Sequence, residues 1–232
     1  MSLLATHALD ARYGDFQALW GVEVTLDAGE TVAIIGANGA GKTTFLRSIA
    51  GVLAARPNAV MFDGRAIGGM SAHRIVALGI ASVPEGRLLF PSLTVEENLL
   101  IGGHSRRKGP WTLDRLYRLF PILRERRHQL ATTMSGGQQQ MAAIGRALMA
   151  NPRLLLCDEI SLGLAPVVIR DIYAILSQIG ADGTSLIVVE QDINLALKVA
   201  DRIYCFQEGR VSLEGRPADI VRDDITRAYF GV

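Results

Sequence analysis

The stretch GANGAGKTT, from Gly36 to Thr44, matches the pattern G-x-x-x-x-G-K-[ST]. It follows the apolar run TVAIIG and opens the helical pattern KTTFLRSIAGVL, which is the strand-loop-helix context that this pattern requires. Its glycines let backbone N–H groups curl around phosphate oxygens, and the N-terminus of the helix adds positive potential. The stretch therefore predicts a site for a nucleoside triphosphate.

Two side chains of this stretch have specific expected roles. Lys42 is placed to reach the β- and γ-phosphates, and the hydroxyl of Thr43 can ligate Mg²⁺. The predicted nucleotide-binding residues here are Gly36, Asn38, Gly39, Ala40, Gly41, Lys42, Thr43 and Thr44.

The rest of the chain predicts an α/β fold around this loop. Three runs, Thr31–Gly36, Arg153–Glu159 and Ser185–Glu190, are continuously apolar until their last residues, as expected of parallel strands that are covered on both faces. Helical patterns separate them, and such alternation indicates a mainly parallel sheet.

Two regions depart from this alternation. LLATHAL, VEVTL and VMFDG predict short antiparallel strands in an N-terminal β subdomain. Between residues 88 and 151 the strand pattern disappears, and Thr94 with Glu97 forms a capping-box pattern, which predicts a helical insertion. We therefore expect one domain over residues 1–232, with 1–87 and 152–232 as the nucleotide-binding core and 88–151 as a helical subdomain.

RLLLCDE places two carboxylates at the end of a buried strand. The carboxyl edge of an open α/β sheet is where ligands bind. Asp158 can hold Mg²⁺ through water, and Glu159 is placed to polarise an attacking water.

A second anion site is predicted at MSGGQ. Ser135 is a good N-cap, and Gly136 with Gly137 exposes backbone N–H groups at the start of a helix. Since the chain already has a phosphate loop, this site is additional.

The composition excludes several functional classes. With 24 basic and 23 acidic residues the net charge is +1, so no overall field collects nucleic acid or anionic lipid. Cys157 and Cys205 lie in apolar runs, which suits buried thiols better than a disulfide. No apolar stretch reaches the roughly 18 residues of a membrane span, and the N-terminus lacks a secretory pattern. Any membrane role is therefore expected to run through a partner.

GANGAGKTT, MSGGQ and LLLCDE, in this order and at these separations, resemble the nucleotide-binding subunit of an ABC transporter over nearly the whole chain. The resemblance implies ATP and Mg²⁺ as cofactors, and a head-to-tail dimer that sandwiches two nucleotides. It also implies that Tyr13 stacks on adenine and that a signature motif contacts the γ-phosphate of ATP held by the other subunit. The signature residues are Ser135, Gly136, Gly137 and Gln138.

Other stretches resemble one subfamily. VPEGRLLFPSLTVEENLL, DEISLGLAP and VVEQDINLALKVADRIYCFQEGRV are similar to the ATP-binding protein of branched-chain amino acid uptake systems, which pairs with a sibling ATPase. The implied partners are membrane permease subunits, a second ATPase that is a sibling or a second copy, and indirectly an extracytoplasmic substrate-binding protein. The implied location is the cytoplasmic face of the inner or plasma membrane. Importers of urea or other small amides share much of this pattern and remain an alternative.

The chain departs from the general ABC pattern at four positions. Glu85 replaces the Gln that links γ-phosphate and Mg²⁺ to the membrane subunit, and a carboxylate can still ligate the metal. Ile160 replaces a Pro, and Ala165 replaces an Asp in the next loop. Gln191 occupies the place of the switch histidine, and no histidine follows His128. Of these departures, Glu85, Ala165 and Gln191 fit the amino acid importer subfamily and favour a heteromer with unequal sites.

The predicted catalytic residues are thus Lys42, Glu159 and Gln191, and the predicted metal ligands are Thr43, Glu85 and Asp158. Gln191 is expected to position water or to sense the γ-phosphate.

The apolar stretch Leu88–Phe90 predicts a partly exposed patch that would receive a cytoplasmic helix of the permease.

Three other functions are alternatives: a soluble ABC-type ATPase acting on DNA or ribosomes, a P-loop kinase, and a regulatory protein that binds but does not hydrolyse ATP. The chain lacks the coiled-coil insertions or basic surfaces of the first. A kinase has no need of MSGGQ, and Glu159 argues against the third.

Overall fold

The structure is a computed structural model that describes residues 2–230. The chain forms two compact units: a first unit of Met1–Ile75 with Ser185–Val232, and a second unit of Val76–Thr184. Across the described residues, every helix is too short or too polar to cross a lipid bilayer. The predicted subdivision at residues 88 and 151 stays a prediction.

The strands and helices follow in chain order. The strands are β1 (Leu4–Thr6), β2 (Leu9–Tyr13), β3 (Phe16–Val22), β4 (Thr25–Leu26), β5 (Thr31–Ile35), β6 (Val60–Phe62), β7 (Arg65–Ala66), β8 (Ile80–Val83), β9 (Leu154–Asp158), β10 (Ser185–Glu190), β11 (Arg202–Gln207) and β12 (Arg210–Gly215). The α-helices are α1 (Lys42–Ile49), α2 (Ala72–Leu78), α3 (Val95–Gly102), α4 (Leu113–Leu119), α5 (Pro121–Glu125), α6 (Gly136–Leu148), α7 (Pro166–Ala181), α8 (Ile193–Val199) and α9 (Arg222–Phe230).

A mostly parallel set of strands forms the core of the first unit. β5 lies between β10 and β11, both parallel to it, and β12 pairs antiparallel with the outer side of β11. Every residue of β5 and β10 is buried, as expected for strands covered on both faces. Ala196 of α8 and Ile225 of α9 pack in one cluster with Ile35 of β5. The predicted parallel strands over these segments are confirmed.

The N-terminal strands are antiparallel, as predicted. They form a sheet in the order β4-β1-β6-β7 and a hairpin of β2 and β3. Within LLATHAL, β1 ends at Thr6 and β2 begins at Leu9, because the chain turns between them. Ala8 has φ of 43° there, a left-handed conformation that no strand accommodates.

The second unit combines a parallel strand pair with helices. β8 and β9 are parallel, with Val83 opposite Cys157. Residues 88–151 contain no strand in the described structure, apart from a single bridge between Thr94 and Leu130, so the helical region is confirmed. The Thr94 side chain accepts from the Glu97 N–H while Glu97 accepts from the Thr94 backbone, as the capping-box pattern predicted. These bonds hold the pKa of Glu97 below its usual range.

Candidate functional site

The phosphate loop joins the buried end of β5 to the first turn of α1. Lys42, only 4% exposed, donates from Nζ to the carbonyl oxygens of Gly36 at 2.7 Å and Ala37 at 3.0 Å. Its ammonium is thus held over the loop by the loop's own backbone. Asn38 and Gly39 are exposed at the tip, while Thr43 and Thr44 are half-buried on the first turn of α1.

Two glycines of the loop have no room for a side chain. A Cβ on Gly36 would lie 2.3 Å from the Phe206 carbonyl oxygen, and φ is 153°. A Cβ on Gly41 would lie 2.7 Å from Leu19 Cδ2, and φ is 102°. Both positions need glycine for two reasons, the left-handed backbone and the close neighbour.

The loop is braced by strands of the same unit. The Gly209 N–H donates to the Ala40 carbonyl at 3.0 Å, and the Trp20 N–H donates to the Gly209 carbonyl at 2.9 Å. β3 and the β11–β12 turn are therefore tied to the back of the loop. A cavity of about 230 Å³ opens beside it, lined partly by Asn38, Glu208 and Tyr229.

A buried thiol lies close to the loop. Burial raises the pKa of the Cys205 thiol, although Ser212 and the Lys42 ammonium act in the opposite direction. The thiol therefore stays protonated and behaves as a packing group.

Tyr13 lies at the end of β2 in the same unit. Its side chain is 42% exposed, and Arg47 of α1 donates to its hydroxyl at 3.5 Å. Phe16 is its partner across the hairpin and is still more exposed. The sequence reasoning missed Phe16, although an aromatic residue three positions after Tyr13 in a short turn was a usable signal.

The end of β10 lies beside the phosphate loop. Glu190 pairs with Ile35 in parallel register, so Gln191 and Gly36 each follow their strand at the same edge of the sheet. Asp192 has a structural role, because it caps α8 by accepting from the N–H groups of Asn194 at 2.9 Å and Leu195 at 3.2 Å. Gln191 is thus fixed between a buried strand and a capped helix.

The predicted carboxylates lie at one edge of the second unit. Asp158, 6% exposed, is the last residue of β9, and Glu85 follows the neighbouring parallel strand β8 by two residues. Glu159 has φ of 46°, a left-handed conformation that is strained for a residue with a Cβ. Such strain persists only where the surroundings enforce it, and it is common at active sites.

The predicted metal ligands fit Mg²⁺ chemically. The hydroxyl of Thr43 and the carboxylates of Asp158 and Glu85 are hard oxygen donors, which Mg²⁺ prefers. In residues 2–230, no group of three or more His, Cys, Asp or Glu side chains is arranged to hold a metal ion.

The signature motif starts α6 with a second capping box. Ser135 Oγ accepts from the Gln138 N–H at 3.4 Å, while Gln138 Oε1 accepts from the Ser135 N–H at 3.2 Å. A Cβ on Gly137 would lie 2.6 Å from Val168 Cγ1, so α7 packs tightly on the motif. Gly136 lies near the Arg87 guanidinium, which also donates to Gln139 Oε1 at 3.4 Å. The N-terminus of α6 is thus ordered by its own capping box, and its role as an anion site stays a prediction.

The predicted apolar patch is exposed. Leu88 is 67% and Phe90 46% exposed, and Leu100 and Ile101 near the end of α3 are exposed as well. Sequence reasoning missed Arg146 of α6, which donates to the carbonyls of Leu88 at 2.7 Å and Arg87 at 2.9 Å. A lone arginine in the apolar stretch AAIGRALMA was the signal that could have found it.

Known proteins resemble both the sequence and the fold. A family model described as ABC transporter matches residues 19–161. The chain is 44% identical to the high-affinity branched-chain amino acid transport ATP-binding protein BraG of Pseudomonas aeruginosa, over 99% of this chain and 100% of that protein.

Solved cassettes show the same architecture. An ATP-binding cassette of an ABC transporter in its ADP conformation superposes with a TM-score of 0.81 at 29% identity, covering 98% of this chain and 94% of that chain. A dimeric cassette in a post-hydrolysis state, bound to ADP and Pi, gives a TM-score of 0.81 at 25% identity, covering 92% of this chain and 98% of that chain.

Proposed function

Because this chain belongs to the ABC transporter family of ATP-binding proteins, we propose that it powers the uptake of branched-chain amino acids by an ABC importer. Members of the family hydrolyse ATP, form cassette dimers and partner with membrane permease components. One observation carries the choice of substrate: the 44% identity to BraG extends over 99% of this chain and all of that protein. An importer of urea or a related amide is the alternative, since similar sequences serve both.

The phosphate loop would hold the triphosphate of ATP. The backbone N–H groups of Gly36–Thr44 bind phosphate oxygens at the N-terminus of α1. Lys42 exchanges its bonds to two loop carbonyls for bonds to the β- and γ-phosphates, so its position is already set before the ligand arrives. Tyr13 stacks its exposed ring on adenine.

Hydrolysis would depend on residues that follow buried strands. Glu159 accepts a proton from the attacking water as general base, and Gln191 orients that water by hydrogen bonding through its amide. Thr43, Asp158 and Glu85 would hold Mg²⁺ directly or through water. When bound there, Mg²⁺ would supply positive charge to offset the charge that develops on the phosphates.

The working unit would be a head-to-tail dimer. The ordered N-terminus of α6, with Ser135 as its cap, binds the γ-phosphate of the ATP held by the second ATPase. The departures at Glu85, Ala165 and Gln191 support a sibling ATPase with a different site rather than a second copy.

Membrane coupling would run through the second unit. Leu88, Phe90, Leu100 and Ile101 are exposed apolar side chains, which suit the apolar face of a permease helix. We place the complex at the cytoplasmic face of the inner or plasma membrane, with an extracytoplasmic binding protein that delivers the substrate.

The Glu159→Gln variant tests the catalytic assignment. Removing the general base is expected to lower ATP turnover by roughly 10²- to 10⁴-fold, because that is what positioned proton transfer contributes. The affinity for ATP should stay unchanged in a filter-binding assay. Glu125→Gln, at an exposed carboxylate on α5, is the matched control and should turn over normally. Unchanged turnover in Glu159→Gln would remove Glu159 from this role.

Uptake measurements test the substrate. Cells that lack this gene should lose high-affinity uptake of radiolabelled leucine, and the native chain but not Glu159→Gln should restore it. Loss of urea uptake with normal leucine uptake would favour the alternative importer. ATP turnover that needs an added acceptor would instead indicate a kinase.

A further inference from the structure

The exposed apolar residues at Leu88 and Phe90 lie on a short loop with an unusual backbone. This docking loop is defined as residues 86–90. Arg87 and Leu88 both have left-handed φ values, of 66° and 44°. Two consecutive residues with a Cβ in this conformation are costly, so neighbouring groups must hold the loop in place.

One side of the loop is fixed to α3. Asn98 is fully buried, accepts from the Phe90 N–H at 2.8 Å and donates to the Phe90 carbonyl at 3.2 Å. The same amide donates to the carbonyls of Leu93 and Thr94 at the start of α3. This part of the loop therefore follows α3.

The other side is fixed to α6 by Arg146. The guanidinium donates from two nitrogens to the two strained residues, at 2.7 Å to the Leu88 carbonyl and 2.9 Å to the Arg87 carbonyl. It also lies 5.7 Å from the centre of the Phe90 ring. Arg146 is half-buried, and this burial lowers the pKa of its guanidinium.

α6 has the signature motif at its other end. From Ser135 to Arg146 the helix rises about 16 Å, at 1.5 Å per residue. Arg87 contacts this end too, since its side chain donates to Gln139 Oε1. A Cβ on Gly102 would lie 1.8 Å from the Arg146 carbonyl oxygen, so α3 and α6 are in backbone contact and cannot slide apart easily.

We propose that Arg146 is a positioning residue that couples the docking loop to the signature motif through α6. The inference rests on the proposed function, in which the loop meets the permease and the signature meets ATP. Two parallel donors on a rigid planar group fix both the distance and the direction of the loop relative to the helix. A displacement at either end of α6 is therefore passed to the other, and the coupling acts equally in both directions.

A fluorescent probe on the docking loop tests this coupling. The full-length Glu159→Gln chain receives Leu88→Cys and a polarity-sensitive thiol dye, since Cys157 and Cys205 are buried and remain unlabelled. With the sibling ATPase present, ATP should shift the dye emission as the signature engages the nucleotide held by that subunit. Arg146→Met should reduce this response by about fivefold or more, within the usual range of coupling energies, while the affinity for ATP changes less than about twofold.

Matched variants separate coupling from folding. Arg146→Lys keeps the charge but cannot donate to both carbonyls along fixed directions, so it should give an intermediate response. Arg118→Met, at an exposed arginine on α4, should respond like the parent. If Arg146→Met fails to fold, the dye response of Arg146→Lys decides whether Arg146 couples the loop to the signature motif.

Two outcomes would overturn the proposal. One is a dye response in folded Arg146→Met, or in Arg146→Lys, that is as large as the response of the parent chain. The other is a parent chain that binds ATP without any dye response. Failure of the proposed function is distinct, since it would show as absent ATP binding or as normal leucine uptake in cells without the gene.

Discussion

Gln191 shows how one side chain can set the pH behaviour of a site. It stands one residue beyond β10, between the pairing of Glu190 with Ile35 and the cap that Asp192 makes on α8. An amide donates and accepts hydrogen bonds but does not titrate, whereas an imidazole changes charge near neutral pH. The proposed hydrolysis therefore lacks a protonation step at this position.

Gln191→His is expected to introduce such a step. Below the imidazole pKa, at about pH 6 to 7, the side chain gains a positive charge and a second donor toward the γ-phosphate. ATP turnover should therefore exceed that of the native chain and rise as the pH falls through this window. Gln191→Asn, a shorter amide, is the control and should keep a flat profile. A pH profile of Gln191→His identical to that of the native chain would contradict the proposed role.

At the residue scale, the sequence singles out the groups that we propose to act on a ligand, and it does not single out those that act on the backbone. Lys42 and Glu159 belong to patterns whose spacing is tied to phosphate chemistry. Arg146 stands out as a lone arginine in an apolar stretch, but it binds two main-chain carbonyls, which every residue supplies, so the sequence does not show which groups it contacts. The strained conformations of Arg87 and Leu88 likewise depend on tertiary contacts.

At the element scale, the start of α6 combines a structural and a chemical role. Ser135 stabilises the helix through its capping box and also presents the N-terminus proposed to bind the γ-phosphate. The two roles can be separated, because aspartate caps a helix about as well as serine but carries a negative charge.

Ser135→Asp is therefore expected to keep the fold and lose the dimer. Like charges placed together across an interface cost several kcal/mol, so ATP-dependent dimerisation of the Glu159→Gln chain with the sibling ATPase should weaken by at least about tenfold. Size-exclusion chromatography with ATP measures the dimer, and thermal melting measures the fold. The neutral cap in Ser135→Asn should dimerise far better than Ser135→Asp. Equal dimerisation of the two variants would argue against a phosphate at this helix.

Elements that follow from a short stretch of sequence were predicted well. Element boundaries that depend on contacts with distant parts of the chain were not. Continuous apolar runs identified β5, β9 and β10, and the capping-box pattern of Thr94 and Glu97 identified the start of α3. The break between β1 and β2 depends on the different sheets that the two strands join, which local alternation does not contain. Residues 112–129 have a helical pattern throughout, but the structure divides them into α4 and α5. The division falls at Pro121, because the proline ring disfavours a helical backbone conformation at Phe120.

At the scale of the whole molecule, nucleotide binding and stability should be linked. A ligand that binds only the folded chain stabilises it by about 2.7 kcal/mol at a hundred times its dissociation constant. For a chain of this size that corresponds to a rise in melting temperature of roughly 5 to 11 °C.

Lys42→Met should abolish most of this rise. The variant loses the ammonium that is proposed to bind two phosphates, while Lys198→Met, at an exposed lysine on α8, keeps the full shift. Differential scanning calorimetry with and without ATP makes the comparison. A full ATP shift in Lys42→Met would place the nucleotide elsewhere.

The register of the parallel strands also determines when the nucleotide loop can form during synthesis. Thr31 of β5 pairs with Leu186 of β10, which is 155 positions later in the chain, and β11 follows later still. At roughly 5 to 20 residues per second, the ribosome needs about 8 to 31 s to deliver the first of these neighbours. For that interval β5, whose residues are all buried in the folded chain, has neither of its flanking strands, and its loop lacks the Gly209 brace. The nascent chain is therefore most exposed to aggregation and to chaperone capture in its first 40 residues, well before its last strands leave the ribosome.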